Sequence, residues 1–230
     1  MKHALLIICI CVAGYGNFVQ SETRDELEIL LKSNNPDVLP SRGQPVMVSL
    51  GLDLTAIREV DLDGGEIELL AMRTIAWKNP FLAREGSSRN DDPVSIDIKR
   101  IWSPDIVAYN HVHPPEQLSP PLAAVAADGQ TYYIPNERIR FRCNLEHISS
   151  PQGSNCTLKY GSWTHHGGKI ALEGYAISTD DFEQNSQFDL LNTYTEVVDK
   201  KYPCCPESYP SVLFTLNIRY KRYSRGFFGW

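Results

Sequence analysis

Val46-Met47-Val48-Ser49-Leu50-Gly51-Leu52-Asp53-Leu54 places an aliphatic residue at every second position. A period of two puts Val46, Val48, Leu50, Leu52 and Leu54 on one face of a strand, and Met47, Ser49, Gly51 and Asp53 on the other. The same period recurs at Ile67, Leu69 and Ala71, at Val94, Ile96 and Ile98, and at Ile139, Phe141 and Cys143. It returns at Val212, Phe214, Leu216, Ile218 and Tyr220. Such runs are strands with one face in a core and one in water. Asp63-Gly64-Gly65 and Ala127-Asp128-Gly129 carry the turn chemistry that joins antiparallel neighbours. Ahead of the strands, Thr23-Arg24-Asp25-Glu26 has capping-box spacing, and Leu27, Leu30 and Leu31 recur at helical spacing until Asn34-Asn35-Pro36. The expected fold is all-β: an immunoglobulin-like β-sandwich of about ten strands with one N-terminal α-helix.

The first residues have another use. Met1-Lys2-His3, the apolar run from Ala4 to Ala13, and Gly14 and Gly16 form a signal-peptide pattern, with cleavage between Gly14 and Ser21. The run is too short to span a bilayer. Residues 1–21 are therefore expected to leave, and 22–230 to be a single secreted, extracellular domain, with no repeat, linker or membrane segment. About 210 residues are enough for a real core without help from disulfides. The formal charge of -6 argues against nucleic acid and suits a cationic ligand.

Cys9 and Cys11 go with the signal, leaving Cys143, Cys156, Cys204 and Cys205. An even number in an exported chain suggests two bridges; of three pairings, only Cys143–Cys156 with Cys204–Cys205 keeps both local. The Cys143–Cys156 loop is a staple, contributing roughly 3 kcal/mol in the chain-entropy picture. A Cys204–Cys205 bridge would close almost no loop, so stability does not explain it. Its role would be local: a stiff hairpin tip within Tyr202-Pro203-Cys204-Cys205-Pro206-Glu207-Ser208-Tyr209, holding aromatic groups around a ligand. The plain alternative is two unpaired or separately paired thiols. Asn155-Cys156-Thr157 is a glycosylation acceptor in an exported chain.

Aromatic residues gather at turn-like segments. Tyr109 follows Trp102-Ser103-Pro104-Asp105, Trp163 lies in Gly161-Ser162-Trp163-Thr164-His165-His166, and Tyr202 and Tyr209 flank the cysteines. A ring face attracts a cation by roughly 0.5–2 kcal/mol per contact, so several rings can hold a quaternary amine without a buried carboxylate. A rival set is His111, His113, His165 and His166, which with a carboxylate could hold zinc for a metal-dependent hydrolase. No HExxH block accompanies them, and His111-Val112-His113-Pro114-Pro115 reads as a loop. A lectin or adhesion module would leave Cys204-Cys205 without a role. The reading is a binding protein, not an enzyme, with no cofactor and no metal; calcium at Asp180-Asp181 has no supporting motif.

These blocks, in this order, resemble the extracellular domain of the Cys-loop receptors in its nicotinic form, above all the soluble acetylcholine-binding proteins, over residues 22–222. The resemblance implies a homopentamer of identical subunits that binds acetylcholine, nicotine-like amines and peptide toxins at subunit seams. Tyr109, Trp163, Tyr202, Cys204, Cys205 and Tyr209 would form the principal face, with the Trp163 carbonyl accepting from a protonated amine. Met72, Thr74, Ala124, Tyr132 and Ile134 would form the complementary face of the neighbouring subunit. Two departures stand out. Met72 occupies a position where the family usually has an aromatic residue, which removes one ring from the cage. The inter-cysteine loop is polar, Ser149-Ser150-Pro151-Gln152-Gly153-Ser154-Asn155, where channels carry an apolar tip. With the end at Phe227-Phe228-Gly229-Trp230, this suggests a binding domain without a pore; the alternative is a truncated channel subunit acting with full-length partners.

Overall fold

The computed structural model describes residues 27–28, 30–32, 34–84 and 92–221. The proposed signal segment, the Thr23–Glu26 capping box and the terminal Phe227–Trp230 lie outside them. Residues 27–28 and 30–32 are helical; Leu30 is buried, and Leu27 and Leu31 pack against the sandwich core.

Strands β1 (Val46–Asp61) and β2 (Glu66–Lys78) form a long antiparallel hairpin. On one side β1 pairs in parallel with β10 (Ile170–Gly174). On the other, β2 serves two partners. Its first half pairs with β8 (Asn136–Arg142) and its second half with β7 (Gln130–Tyr133). Strands β6 (Leu122–Val125) and β3 (Val94–Asp97) continue outward from β7, and the two-residue β5 (Glu116–Gln117) lies on β8. The second sheet runs β11 (Phe188–Lys201), β12 (Ser208–Tyr220), β9 (Ser154–Ser162), β4 (Ile106–Ala108), all antiparallel. Twelve strands are thus present among the described residues, against an expectation of about ten. The additional ones include β4 and β5, too short for alternation to announce them.

The alternating residues fill the space between the sheets. Val46, Val48, Leu50, Leu52, Leu54, Ile67, Leu69, Ala71, Ile139, Phe141, Val212, Phe214, Leu216 and Ile218 are all buried in one core. The pattern fails in three places, each with a local cause. Leu54, Ala56 and Ile57 are all buried because the β1–β2 register shifts between Leu54 and Ala56. Ile98 leaves the strand for a 3₁₀ turn, Ile98–Arg100, capped by the Asp97 carboxylate accepting from Lys99 N–H. Tyr220, expected on the core face, is 40% exposed and stacks edge-on with Phe188 at the sheet margin.

Cys143 and Cys156 are bonded, with Cα atoms 4.9 Å apart, and both are buried. The β6–β7 turn depends on Gly129, whose φ is 82° and whose absent Cβ would sit 2.3 Å from the Asn79 carbonyl oxygen.

Candidate ligand-binding site at the sheet edges

Strand β4 ends at Ala108 and β9 at Ser162, and the pair is in register from Ile106↔Ser162 to Ala108↔Tyr160. Tyr109 and Trp163 are the first residues beyond these ends, so adjacent strands of one sheet deliver both rings. The Tyr109 hydroxyl donates to the Ser162 carbonyl at 2.6 Å, and the two ring centroids are 6.3 Å apart. Gly161 makes this packing possible: a Cβ there would lie 2.7 Å from the Tyr109 hydroxyl. Trp163 is 70% exposed, a large apolar ring left in solvent by its own chain.

One carboxylate organises the turn beneath these rings. Asp105 accepts from Ser162 Oγ at 2.5 Å, from Thr164 N–H at 2.7 Å and from Thr164 Oγ1 at 2.6 Å, and its backbone carbonyl accepts from Trp163 N–H at 3.0 Å. Burial pushes the Asp105 carboxyl up, but the hydrogen bonds from Ser162 and Thr164 outweigh it and hold the group below the ordinary carboxylate range. It is a charged anchor for the Trp163 turn. Burial raises the Tyr109 phenol, and the nearby Tyr202 and Asp105 raise it further, so it stays a neutral donor.

Tyr202 and Tyr209 come from the β11–β12 hairpin. Their rings meet edge to face at 5.6 Å, and Tyr209 meets His166 at 6.4 Å. Protein cations already occupy two of the faces: Lys159 Nζ lies 5.5 Å from the Tyr109 centroid, and Lys200 Nζ 4.8 Å from that of Tyr202. At the hairpin tip Cys204 and Cys205 stand side by side as thiols. The neighbouring Cys205 thiol pushes the Cys204 thiol and the Tyr209 phenol above their ordinary values.

The complementary residues lie on the other sheet. Tyr132 on β7 stands opposite Ala124 on β6 and Ala76 on β2, so the three share one face. Met72 and Thr74 continue the Ala76 row along β2, and Ile134 follows β7 by one residue. Tyr132 and Ile134 are exposed, at 42% and 46%. Principal and complementary residues therefore belong to opposite sheets of one chain.

A family model described as "Neurotransmitter-gated ion-channel ligand binding domain" matches residues 23–222. The chain belongs to that family. Among its relatives is the acetylcholine receptor subunit alpha-type acr-16 of Caenorhabditis elegans, 28% identical over 231 residues, covering 97% of this chain and 46% of that protein. The alpha-type acr-15 subunit of the same nematode is 29% identical over 179 residues, 76% of this chain and 37% of that protein. Neuronal acetylcholine receptor subunit alpha-10 of Rattus norvegicus is 27% identical over 215 residues, 91% and 47% of the two chains. The chain spans less than half the length of each of these relatives. It is a nicotinic-type receptor ligand-binding domain, a family of receptor domains rather than of enzymes.

Within this ligand-binding domain the histidines do not converge. His111 Nδ1 contacts the Ala108 carbonyl, His165 Nδ1 faces Thr164 Oγ1 and Asp105, and His166 Nδ1 accepts from Gly168 N–H. Among the described residues no group of three or more His, Cys, Asp or Glu side chains could hold a metal ion, and Asp180 and Asp181 are exposed. Asn155 is exposed on β9, and its Oδ1 accepts from Asn217 Nδ2 at 2.6 Å.

Two residues of the site have no sequence-level role assigned. Asp105 is visible in the Trp102-Ser103-Pro104-Asp105 block, but nothing in that block says that it reaches a turn nearly sixty positions later. Tyr175 follows β10 and is 47% exposed. Its ring and Thr74 flank Gly51, at 3.7 and 3.2 Å from the point where a Gly51 Cβ would be, which sets an aromatic beside the complementary residues. Gly51 among aliphatic neighbours was the one available signal.

Proposed function

We propose that this domain is a secreted binding protein that captures acetylcholine and related cationic amines at the seams of a homopentamer. The supporting observation is the separation of the two half-sites. Four rings, Tyr109, Trp163, Tyr202 and Tyr209, gather on the edge of one sheet, while Met72, Thr74, Ala124, Tyr132, Ile134 and Tyr175 lie on the other. A second copy laying its complementary surface over the rings of the first covers Trp163 and excludes water from the amine, which strengthens every cation–ring contact. Met72 contributes a thioether wall and Tyr175 a ring. The Trp163 carbonyl serves a protonated amine, and quaternary amines need no acceptor. Nicotine-like amines fit the same cage, and peptide toxins fit the open rim. No bond is made or broken.

In an oxidising extracellular setting Cys204 and Cys205 join as the vicinal bridge. Bridging stiffens the tip over the ligand. Residues 1–21 act as the export signal, and Asn155 carries a sugar.

Two measurements on the purified protein test this reading. Light scattering after size exclusion should give the mass of five chains, and titration calorimetry should show saturable acetylcholine binding that weakens after mild reduction. A stable monomer with no amine affinity sinks it. A monomer that binds only beside full-length receptor subunits favours the partner-dependent reading instead.

A further inference from the structure

Arg73 stands between Met72 and Thr74 on β2, yet its side chain enters the sandwich and is only 11% exposed. Its Nε and Nη2 fork the two carboxylate oxygens of Glu137 on β8, at 2.9 and 2.8 Å, and Glu137 is 6% exposed. The guanidinium carbon lies 5.2 Å from the centroid of the Tyr160 ring, and Nη1 approaches the Ile106 carbonyl at 3.4 Å. Ile106 opens β4, and Tyr160 lies on β9 opposite Ala108. One side chain from the complementary sheet thus touches both strands whose ends deliver Tyr109 and Trp163.

Stability does not explain this arrangement. Removing two charges from water costs about as much as their pairing returns, and apolar side chains of similar volume often replace such a pair without loss. What the charged pair adds is geometry. A planar fork held by a bidentate carboxylate fixes the guanidinium in one orientation, and the guanidinium fixes what rests on it.

We propose that Arg73 is a positioning residue of the amine site, setting from the complementary strand where β4 and β9 present Tyr109 and Trp163. This rests on the amine-binding reading above. In a ring, the two half-sites of one subunit serve different seams. Arg73 therefore ties the complementary strand of one seam to the rings of the next. It touches no ligand and acts through the strands.

The test compares wild type with Arg73→Lys and with the double variant Arg73→Met/Glu137→Leu, which removes both charges and keeps the volume. Melting temperature, oligomer mass and the acetylcholine Kd are measured for each. The double variant should melt close to wild type and keep its assembly, yet bind acetylcholine about tenfold more weakly, because ring placement tolerates only about half an ångström of error. Arg73→Lys keeps the charge beside Glu137 but loses the fork, and should also weaken Kd at unchanged mass. A wild-type Kd in the double variant overturns the proposal. If the double variant does not fold, a wild-type Kd in Arg73→Lys overturns it equally. Wild-type protein that binds no acetylcholine overturns the amine-site reading itself, and this inference with it.

Discussion

The two halves of the site are held by different physics. The principal half is rigid by construction: Asp105 accepts three side-chain and backbone donors from the Trp163 turn, and Tyr109 is bonded to Ser162 and packed on Gly161. On the complementary half the charged fork, Arg73 with Glu137, points into the sandwich. The ligand-facing residues there are placed by cross-strand register, as in the row Ala76, Tyr132, Ala124. A cage that must grip any small cation needs fixed rings, whereas the opposing surface can change side chains without disturbing the sheet. Losses should therefore be large on the first half, and changes smaller and of either sign on the second.

The sharpest way to break this contrast is Trp163→Ala. It removes the most exposed ring, and acetylcholine affinity should fall at least thirtyfold, about 2 kcal/mol, in calorimetric titration, with melting temperature unchanged. Equal affinity would remove the basis of the cage. Next is Asp105→Ala, which deletes the charged acceptor of the turn. Stability should drop by about 2–3 kcal/mol in urea unfolding, and affinity should fall roughly tenfold. The same anchor has a pH signature. Asp105 titrates below its ordinary value of 3.8, so the stability it supplies is complete above that pH and disappears as the pH falls through the lower folded value. Acid should loosen the Trp163 turn only below about pH 4, and Asp105→Asn should flatten that acid limb of a thermal-denaturation series.

On the complementary half, Met72→Trp should tighten acetylcholine binding roughly three- to tenfold by restoring a ring quadrupole to the wall. Looser binding would mean that Met72 does not face the ligand. The smallest effect is expected for Lys200→Gln. Its ammonium rests over Tyr202, where a ligand cation would compete with it, so removal should tighten cationic amines about twofold and leave uncharged ligands unaffected.

Much of this was legible in the chain. Alternation located the buried faces of β1, β2, β8 and β12, because a strand's period needs no partner to be visible. The Cys143–Cys156 loop and the aromatic motifs could be read from local spacing. Alternation misjudged Tyr220 and Ile98, since at the ends of strands a neighbour or a turn, not the period, decides the facing. Tyr175 escaped notice because nothing near it in sequence points to Thr74 or Gly51.

The sequence alone determined what depends on near neighbours: the strand period, the glycine turns, the kinds of ring at the hairpin tip and the family to which they belong. Only the tertiary structure decided which distant groups meet. Asp105 with Thr164, and Arg73 with Glu137 and Tyr160, are joined by the register of strands far apart in the chain. A slip of one residue would turn each of these side chains to the other face, and no local pattern records that choice.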